Sequence, residues 1–436
     1  MLRNIRKTIL LGIVSLALVS CGQHPSSPSR MAAATTESWI MYQHSPDHNA
    51  VLTKPTNVDT WQFDAGARIN GGFAVVGNTL LLDTFNNELV ALDVRSGKVL
   101  WRSKSDNVLM STPVVANGLI YVGSGDNGRL AGGSGPSTYA STYSSAHAAQ
   151  VNPTWGRPEG DAMLAYDLTT GKQRWIYRTV GEDMPSPAIV GDTLIFANGD
   201  LHMYGLNTQT GEQRWMREVD GLATMASATV ASGLTYLSIC NDAPYRCQTL
   251  AVDAPTGRVA WHAPFGNSDS SPAFGDGRIY VSGIVNEADQ ARHTGYGVVA
   301  ALDAKTGQTR WTYRTPHAGP YTEVGSSERA IAGTFADGIY YQPIPTHDQL
   351  LAFDASTGAI RWRFASAAPI KMSPIVKGGK LYVGDTAGIL YTLNARTGAL
   401  QTSRLFKKPF TTSPPVMIGK TMLVANDSIV YAFATK

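Results

Sequence analysis

The chain has 436 residues, of which 43% are hydrophobic and 16% are charged, and its formal net charge is +3. A chain of this length has room for two ordinary domains. The whole positive excess comes from Arg3, Arg6 and Lys7 at the N-terminus, so the rest of the chain is neutral. This balance argues against nucleic acid as a partner, because proteins that bind nucleic acid favour a basic face.

The first twenty residues predict a lipoprotein signal peptide. After the basic start comes the apolar run Thr8 to Val19, which is too short to span a bilayer. The residues LVSC that end at Cys21 resemble a bacterial lipobox, so residues 1–20 are interpreted as the signal peptide and Cys21 as the lipidated start of the mature chain. Each buried CH₂ of an acyl chain contributes about 0.8 kcal/mol to membrane binding, so a multiply acylated N-terminus stays on its membrane. We therefore expect attachment to the membrane through lipid alone. A plainly secreted protein is the alternative.

Residues 21–38 are small, polar and proline-bearing, and they predict a flexible tether behind the lipidated cysteine. Gly22 is not the aspartate that commonly marks inner-membrane retention. In a host with an outer membrane we therefore expect an anchor on the periplasmic side of that membrane, and otherwise on the outer face of the cell membrane. Repeats run through all of residues 39–436, which favours one closed repeat domain over two domains.

One pattern recurs seven times, most clearly in LLAFDASTGAIRWRF, Leu350 to Phe364. Its apolar alternation predicts two half-buried strands joined by a tight turn. Asp354 can accept backbone N–H groups of the turn, and Gly358 supplies a positive φ. Trp362 offers a large ring to a neighbouring unit. The same positions are filled by Asp93, Gly97 and Trp101, by Asp167, Gly171 and Trp175, and by Asp303, Gly307 and Trp311.

These residues recur once per unit, so we predict a structural role in turns and docking rather than catalysis. Two further copies end at Trp215 and Trp261, and the seventh has Thr402 in place of the tryptophan. Residues 372–406 show a whole unit as four strands, A to D, which is the pattern of a propeller blade. The expected A strands begin near Gly71, Ser111, Ser186, Ser227, Ser271, Ala330, Ser373 and Ser413.

The chain ends after strand C of the eighth unit, so that unit needs a D strand from elsewhere. Trp61, Gln62 and Phe63 are predicted to supply it. Such a closure removes the exposed edges of an open array. The predicted fold class is therefore all-β: an eight-bladed β-propeller of four-stranded blades, closed by an N-terminal strand.

The pattern A-x-D-x-x-T-G-x-x-x-W resembles the signature of the quinoprotein-like β-propeller family, and the resemblance covers nearly all of the chain after Trp39. The segment Trp39 to Asn49 also resembles the one that precedes the first blade in many members. The resemblance implies one of two functions. Some members are dehydrogenases that hold pyrroloquinoline quinone (PQQ) and calcium. Others are binding propellers without chemistry, such as outer-membrane assembly factors of the BamB type, and fold alone does not choose between them.

The connections between strands B and C vary in length, whereas the AB and CD turns are short and regular. Blade 2 carries the longest BC connection, Asp126 to Gly160. In a four-stranded meander the BC connections and the DA linkers emerge on one face, so the elaborated face is the candidate binding face. Tolerated insertion without function is the alternative. The candidate contacts are aromatic and arginine side chains, which are rich in binding energy: Tyr139, Tyr143, Trp155, Arg246, Arg292 and Tyr296.

The dehydrogenase alternative requires carboxylate and amide oxygens for calcium at the inner ends of the blades. Those stretches, such as LMSTP, MPSP and KMSP, are chiefly small, hydroxylic and proline-bearing. Asp269 and Glu323 are expected to be the only carboxylates near the ring, and the adjacent cysteine pair of the resembling enzymes is absent from the sequence. We predict no catalytic residue and no cofactor, with PQQ and calcium as the alternative. Recognition of a small molecule or glycan in the central funnel is a third hypothesis.

Cys240 and Cys247 flank the short segment NDAPYR, and in an oxidising envelope they predict a disulfide. Closing so short a loop stabilises by about 2.5 kcal/mol in the chain-entropy model. Four histidines and three acids on the elaborated face are candidate metal ligands, but their wide separation in the sequence favours scattered surface residues, so no metal site is predicted. They are His147, His293, His317, His347, Asp289, Glu323 and Asp348. We expect a monomer that binds a protein partner in the cell envelope.

Overall fold

The structure is a computed structural model. It describes residues 60–69, 71–109, 111–125, 161–179, 183–223, 225–242, 245–267, 269–286, 295–315 and 331–435. The chain divides into two compact units, Met1–Thr35 and Thr36–Lys436, and every described residue belongs to the second. The predicted signal peptide, Cys21 and the tether therefore lie outside the described residues. In the ranges given, no helix has the length and apolar character needed to cross a bilayer.

The described residues form eight antiparallel sheets of four strands each, which confirms the predicted eight-bladed propeller. In chain order the strands are β1 (Trp61–Asp64), β2 (Ala74–Val76), β3 (Thr79–Thr84), β4 (Glu88–Asp93), β5 (Val99–Lys104), β6 (Val114–Ala116), β7 (Leu119–Ser124), β8 (Ala162–Asp167), β9 (Gln173–Arg178), β10 (Ala188–Val190), β11 (Thr193–Ala197), β12 (His202–Asn207), β13 (Gln213–Glu218), β14 (Thr229–Ala231), β15 (Leu234–Asp242), β16 (Tyr245–Asp253), β17 (Val259–Ala263), β18 (Ala273–Gly275), β19 (Arg278–Asn286), β20 (Gly295–Asp303), β21 (Thr309–Arg314), β22 (Thr334–Ala336), β23 (Ile339–Ile344), β24 (Gln349–Asp354), β25 (Ile360–Ala365), β26 (Ile375–Lys377), β27 (Lys380–Gly384), β28 (Ile389–Asn394), β29 (Leu400–Leu405), β30 (Val416–Ile418), β31 (Thr421–Asn426) and β32 (Ile429–Ala434). Blades 1 to 7 each use four consecutive strands, from β2–β5 to β26–β29.

Blade 8 joins the two ends of the propeller. It consists of β30, β31, β32 and β1, and β1 pairs antiparallel with β32 from Trp61 opposite Ala432 to Asp64 opposite Ile429. This confirms the predicted closure by an N-terminal strand. The Nε1–H of Trp61 also donates to the carbonyl oxygen of Val94 in blade 1 at 3.0 Å. The N-terminal strand β1 therefore completes blade 8 by pairing with β32, and it also contacts blade 1.

Blades are tied together where a tryptophan of one blade lies on the CD turn of the next. At one such junction Gly358 has φ +74°, and a Cβ there would lie 2.7 Å from the Trp311 ring. The Nε1–H of Trp311 donates to the carbonyl oxygen of Ala355 at 2.9 Å. Only a glycine permits both the turn and this close approach. The same contact joins seven junctions, in which Trp61, Trp101, Trp175, Trp215, Trp261, Trp311 and Trp362 lie on Gly97, Gly171, Gly211, Gly257, Gly307, Gly358 and Gly398.

The turn aspartates close these turns from within. In blade 6, Oδ1 of Asp354 accepts the backbone N–H groups of Ser356 at 3.1 Å and Thr357 at 3.0 Å. In blade 5, Asp303 accepts those of Lys305 and Thr306 in the same way. These side chains therefore act locally, within the turn that contains them.

The A strands begin two to four residues later than the sequence suggested, at Ala74, Val114, Ala188, Thr229, Ala273, Thr334, Ile375 and Val416. A strands of neighbouring blades pack against one another, so they line the centre of the propeller. Just ahead of the first four of these A strands, the backbone N–H groups of Gly72, Thr112, Ser186 and Ser227 bond to side chains of the next blade, as described below.

Candidate binding face and inner ring

The two faces of the propeller are set by which connections share them. The AB and CD turns lie together, since the N–H of Val94 in a CD turn donates to the carbonyl oxygen of Asn78 in an AB turn at 2.8 Å. The DA linkers run beside the BC ends, since Leu222 and Cys240 exchange two backbone hydrogen bonds of 2.7 and 3.0 Å. We call the first side the turn face and the second side, with the BC connections and DA linkers, the loop face.

Blades 4 and 5 extend furthest on the loop face among the described residues. Their B and C strands, β15, β16, β19 and β20, have nine residues each, whereas B and C strands of the other described blades have five or six. Pairing continues to Asp242 opposite Tyr245 in blade 4 and to Asn286 opposite Gly295 in blade 5. Because β16 packs against β19, the two hairpins stand side by side.

A disulfide links the two strands of the blade 4 hairpin. Cys240 and Cys247 lie directly opposite each other in the register, with their Cα atoms 4.0 Å apart, and they are bonded through their sulfurs. The backbone of Cys240 is also bonded to Leu222 in the DA linker that precedes blade 4. A Cβ on Gly221 would lie 3.0 Å from the Cys240 backbone, so the linker passes close to this point. The hairpin base is therefore fixed on two sides.

The structure places two of the six candidate contacts at the ends of these hairpins. Arg246 lies opposite Asn241 in blade 4, and Tyr296 lies opposite Val285 in blade 5. Their backbones are described and their side chains are not. Tyr139, Tyr143, Trp155 and Arg292 lie outside the described residues. That Arg246 and Tyr296 belong to neighbouring hairpins depends on the packing of β16 on β19, which sequence spacing alone does not show.

Two of the seven candidate metal ligands, His347 and Asp348, lie within the described residues. His347 belongs to a short 3-10 helix, Pro345–His347, in the BC connection of blade 6, and its Nδ1 lies 2.9 Å from the hydroxyl of Thr346. Asp348 ends that helix with φ +50°. His147, His293, His317, Asp289 and Glu323 lie outside the described residues. Within the described ranges, no three His, Cys, Asp or Glu side chains come close enough together to hold a metal ion.

The centre of the propeller carries a series of hydrogen bonds that we call the inner ring. Its members are the residues two positions ahead of each A strand: Gly72, Thr112, Ser186, Ser227, Ser271, Ala332, Ser373 and Pro414. In four successive junctions a backbone N–H donates to the hydroxyl of the next blade, from Gly72, Thr112, Ser186 and Ser227 to Thr112, Ser186, Ser227 and Ser271, at 2.6, 2.9, 3.1 and 2.8 Å. Blades 1 to 5 are thus joined at their inner ends. Ala332 and Pro414 have no hydroxyl to continue the series.

The expectation that Asp269 and Glu323 are the only carboxylates near this ring is wrong. Asp83 in β3 is buried, and a Cβ on the neighbouring Gly71 would lie 2.4 Å from its Oδ1. Asp183, just ahead of blade 3, is also buried, and its Oδ2 accepts the hydroxyl of Thr179 at 2.5 Å. Sequence analysis missed Asp83 because it belongs to an apolar strand, TLLLDT. The residue next to its carboxyl is Gly71, which has no side chain to indicate the contact.

Burial sets the ionisation of these two carboxyls. Desolvation raises the pKa of Asp83 well above its usual value, and neither of its oxygens has a hydrogen-bond partner among the described residues. Desolvation likewise raises the pKa of Asp183, although the hydroxyl of Thr179 opposes the effect. The neutral form is therefore favoured at both positions.

The described residues do not fit a calcium and quinone site. Calcium takes six to eight oxygen ligands, usually including ionised carboxylates. Asp83 and Asp183 belong to different blades, 1 and 3, and the environment of each favours the protonated acid. Asp269 is half-buried in the linker before blade 5, where its N–H donates to Oδ1 of Asn267 at 2.8 Å. The described part of the chain therefore offers scattered carboxyls rather than a ligand set.

Eight four-stranded blades, tied by aspartate turns and tryptophans that lie on glycines, define a quinoprotein-like β-propeller. The family model described as outer membrane protein assembly factor BamB matches residues 50–235, 243–342 and 295–436. These matches cover most of the chain and all eight blades. The chain therefore belongs to the BamB family, and the resemblance to quinoprotein-like propellers drawn from the repeat pattern is confirmed.

Individual relatives point in two directions. The chain is 22% identical to the outer membrane protein assembly factor BamB of Yersinia pestis, over 99% of each chain. It is 24% identical to a tetrathionate hydrolase of Acidithiobacillus ferrooxidans, over 81% of this chain and 70% of that protein. The crystal structure of BamB from Moraxella catarrhalis matches with a TM-score of 0.62 and 16% identity, over 87% of this chain and 98% of that one. At this identity the structural match shows the fold alone.

Proposed function

We propose that the protein is a scaffold of the cell envelope that binds a protein partner through its loop face. In a host with an outer membrane, the partner belongs to the machinery that assembles outer-membrane proteins. The family membership supports this role, and the paired hairpins of blades 4 and 5 are the structural observation that carries it. The protein acts as a monomer, and it does so without catalysis or cofactor.

The hairpins suit recognition for a physical reason. Residues that project from a rigid support lose little conformational freedom on binding, so more of the contact energy remains as affinity. Here the support is the ring of tryptophan junctions, the inner ring and the bridge between Cys240 and Cys247. Arg246 and Tyr296 at the hairpin ends are of the residue types that contribute most to interfaces. We further propose that Tyr139, Tyr143 and Trp155, in the connection between β7 and β8, contact the same partner.

The proposed anchor is lipid on Cys21, followed by the tether of residues 21–38. It keeps the propeller at the membrane while leaving the loop face free to meet its partner. Mass spectrometry of the mature N-terminus tests this part separately. We expect an acylated Cys21 as the first residue, and a Cys21→Ser variant should leave the membrane fraction. An unmodified cysteine, or cleavage elsewhere, would contradict the anchor without touching the binding proposal.

Two arginines in blade 4 allow a matched test of the loop face. Arg246 lies near the hairpin end, whereas Arg258 is exposed in the CD turn of the same blade. Binding of the mature chain to the host's purified outer-membrane protein assembly complex, prepared without this chain, is measured for wild type and for each charge reversal. Arg246→Glu should weaken binding about tenfold, equivalent to about 1.4 kcal/mol, and Arg258→Glu by less than about twofold. Equal affinity of Arg246→Glu and wild type, or no binding by wild type, would refute the proposal.

A second candidate is chemistry on a small molecule at the inner ring. It is favoured by the tetrathionate hydrolase relative and by Asp83, a buried acid whose oxygens have no hydrogen-bond partner in the part of the chain that the structure describes. Such a group can donate a proton in a desolvated site. The purified protein is assayed with tetrathionate, and with alcohols in the presence of PQQ, calcium and a dye. The scaffold proposal expects no turnover. Turnover that is abolished in Asp83→Asn would replace it with the enzymatic hypothesis.

A further inference from the structure

The junction between blades 7 and 8 differs from the other seven. At the tryptophan position of its D strand, blade 7 has Thr402, which pairs with Thr392 as Trp362 pairs with Ala352 in blade 6. Thr402 is exposed, whereas Trp362 is buried. Blade 8 also has no CD turn, because its D strand, β1, comes from the other end of the chain. At this junction blade 7 therefore supplies no tryptophan from its D strand, and blade 8 supplies no turn glycine.

Phe433 in β32 stands at this junction in the strand position that packs against a tryptophan elsewhere. It occupies the position of Phe353 in blade 6, which is stacked on Trp311 with ring centroids 5.6 Å apart and is fully buried. The residues at this position in blades 1 to 7 are all at most 1% exposed: Leu92, Tyr166, Leu206, Val252, Leu302, Phe353 and Leu393. Phe433 is only partly buried, and Arg404 lies over it with its guanidinium carbon 4.3 Å from the ring centroid.

The hydrogen-bond position of a docked indole is also present. Elsewhere the indole N–H donates to the carbonyl oxygen of the residue after the turn Asp or Asn, such as Ala355. The N–H of Ala355 in turn donates to Gly338 in the AB turn of its blade. In blade 8 Thr435 makes the same backbone bond, to Lys420 at 2.7 Å, so Thr435 stands at the acceptor position. Thr402, Arg404, Phe433 and Thr435 define what we call the blade 7–8 notch.

We propose that the side chain of Trp39 fills the blade 7–8 notch. The sequence has nine tryptophans, and seven of them occupy the other junctions. The remaining two are Trp39 and Trp155, and Trp155 belongs to the connection between β7 and β8, whose described ends, Gly125 and Asp161, lie on the loop face. The notch lies at the turn face, where tryptophans meet CD turns at the other junctions. Trp39 is therefore the ring of matching chemistry that the topology brings to this side.

The path of the chain supports the same occupant. β1 begins at Trp61 opposite Ala432, the neighbour of Phe433, so the chain that precedes β1 leaves the sheet beside the notch. Trp39 is twenty-two residues ahead of Trp61 and is followed by Ile40, Met41 and Tyr42. An extended segment of that length spans up to about 75 Å, so its reach does not limit docking. The docked indole would then stand at this junction where a tryptophan of the D strand stands at the other seven.

The test uses a position that can supply the ring from within the blade. Thermal unfolding of the mature chain is compared for wild type, Trp39→Ala, Thr402→Trp and the double variant, with Trp155→Ala as the matched loss of a tryptophan. Trp39→Ala should lower the Tm by about 4 °C, and Trp155→Ala should leave it unchanged. Thr402→Trp should not raise the Tm of wild type, because the notch is already filled. In the Trp39→Ala background it should restore at least half of the loss.

Several outcomes would overturn the proposal. An unchanged Tm in Trp39→Ala, or a gain from Thr402→Trp that is the same in both backgrounds, would show that Trp39 does not occupy the notch. If Trp39→Ala fails to fold, a photo-crosslinking amino acid at position 402 of the otherwise unchanged chain gives the answer by mass spectrometry. A crosslink to the peptide that contains Trp39 in the same chain is expected. A crosslink between two copies, or to another peptide, would refute the assignment.

Discussion

Aspartates on the turn face of this propeller are accessible to solvent, whereas aspartates at the inner ends of the blades are buried. On the turn face Asp303 is solvent-accessible, and the guanidinium of Arg310 together with Thr306 lowers its pKa to about 2. Asp83 lies at the inner end of a blade, and its burial raises its pKa well above the usual value. The turn acids repeat because each one serves its own turn. The inner acids and long hairpins do not repeat, and asymmetry of this kind is what a binding site requires.

The largest expected effect on stability comes from removing an aromatic ring on the turn face. Trp311 is 8% exposed, stacks on Phe353 and donates to Ala355, so Trp311→Ala leaves a cavity between blades 5 and 6. We expect a loss of about 3–5 kcal/mol in the free energy of unfolding, measured by urea denaturation. Thr402→Ala, at the matching but exposed position of blade 7, should cost less than about 0.5 kcal/mol. Similar losses in the two variants would contradict the docking role of the tryptophan.

A smaller effect is expected on the loop face from the bridge between Cys240 and Cys247. Replacing both cysteines by alanine should lower the free energy of unfolding by about 2.5 kcal/mol, because the unfolded chain regains loop freedom. Faster hydrogen exchange should be confined to the ends of β15 and β16, while the turn at Asp303 to Gly307 stays protected. Thiol labelling of the native wild type gives the independent check. Labelling of both cysteines without a reductant would contradict the bridge.

The contribution of Asp83 to stability should change with pH in the direction opposite to that of the turn aspartates. Its folded pKa is raised, so its contribution to stability is present below the unfolded pKa of about 3.9 and is lost as the pH rises toward the folded value. Asp83→Asn removes this titration, and it should raise stability at pH 8 relative to wild type by about 1 kcal/mol and by less at pH 4. Calorimetric Tm values across this range measure the difference. A larger benefit at pH 4 than at pH 8 would contradict a buried neutral acid.

Replacing Asp303 should have the smallest effect on stability, and that effect should depend on pH in the reverse direction. Its folded pKa is lowered, so its contribution is present above the unfolded pKa of about 3.9 and is lost as the pH falls through about 2. Asp303→Asn should therefore lower the Tm slightly at pH 7 and leave it unchanged near pH 2. Asparagine is the right replacement because Asn207 and Asn394 serve the same turn in blades 3 and 7. A loss that persists unchanged at pH 2 would argue for packing rather than charge.

The sequence predicted what depends on short spacing. The Asp–Gly–Trp interval is local, so seven copies were enough to predict the blades, and Trp61 was enough to predict the strand that closes them. The same reasoning could not find Asp83, because only the folded chain brings its carboxyl against Gly71. It also could not show that Arg246 and Tyr296 stand on neighbouring hairpins, which depends on β16 packing against β19. The strands and the docking of tryptophans on the next blade were predictable from the repeat, and the contacts of the buried acids and of the long hairpins were not.

The most direct test of the central claim is hydrogen exchange of the mature chain with and without the purified outer-membrane protein assembly complex. A scaffold that binds through its loop face should gain protection at the ends of the β15–β16 and β19–β20 hairpins. The CD turns, such as Asp303 to Gly307, should exchange as they do in the free protein. Protection of the CD turns with unchanged hairpin ends would contradict the account.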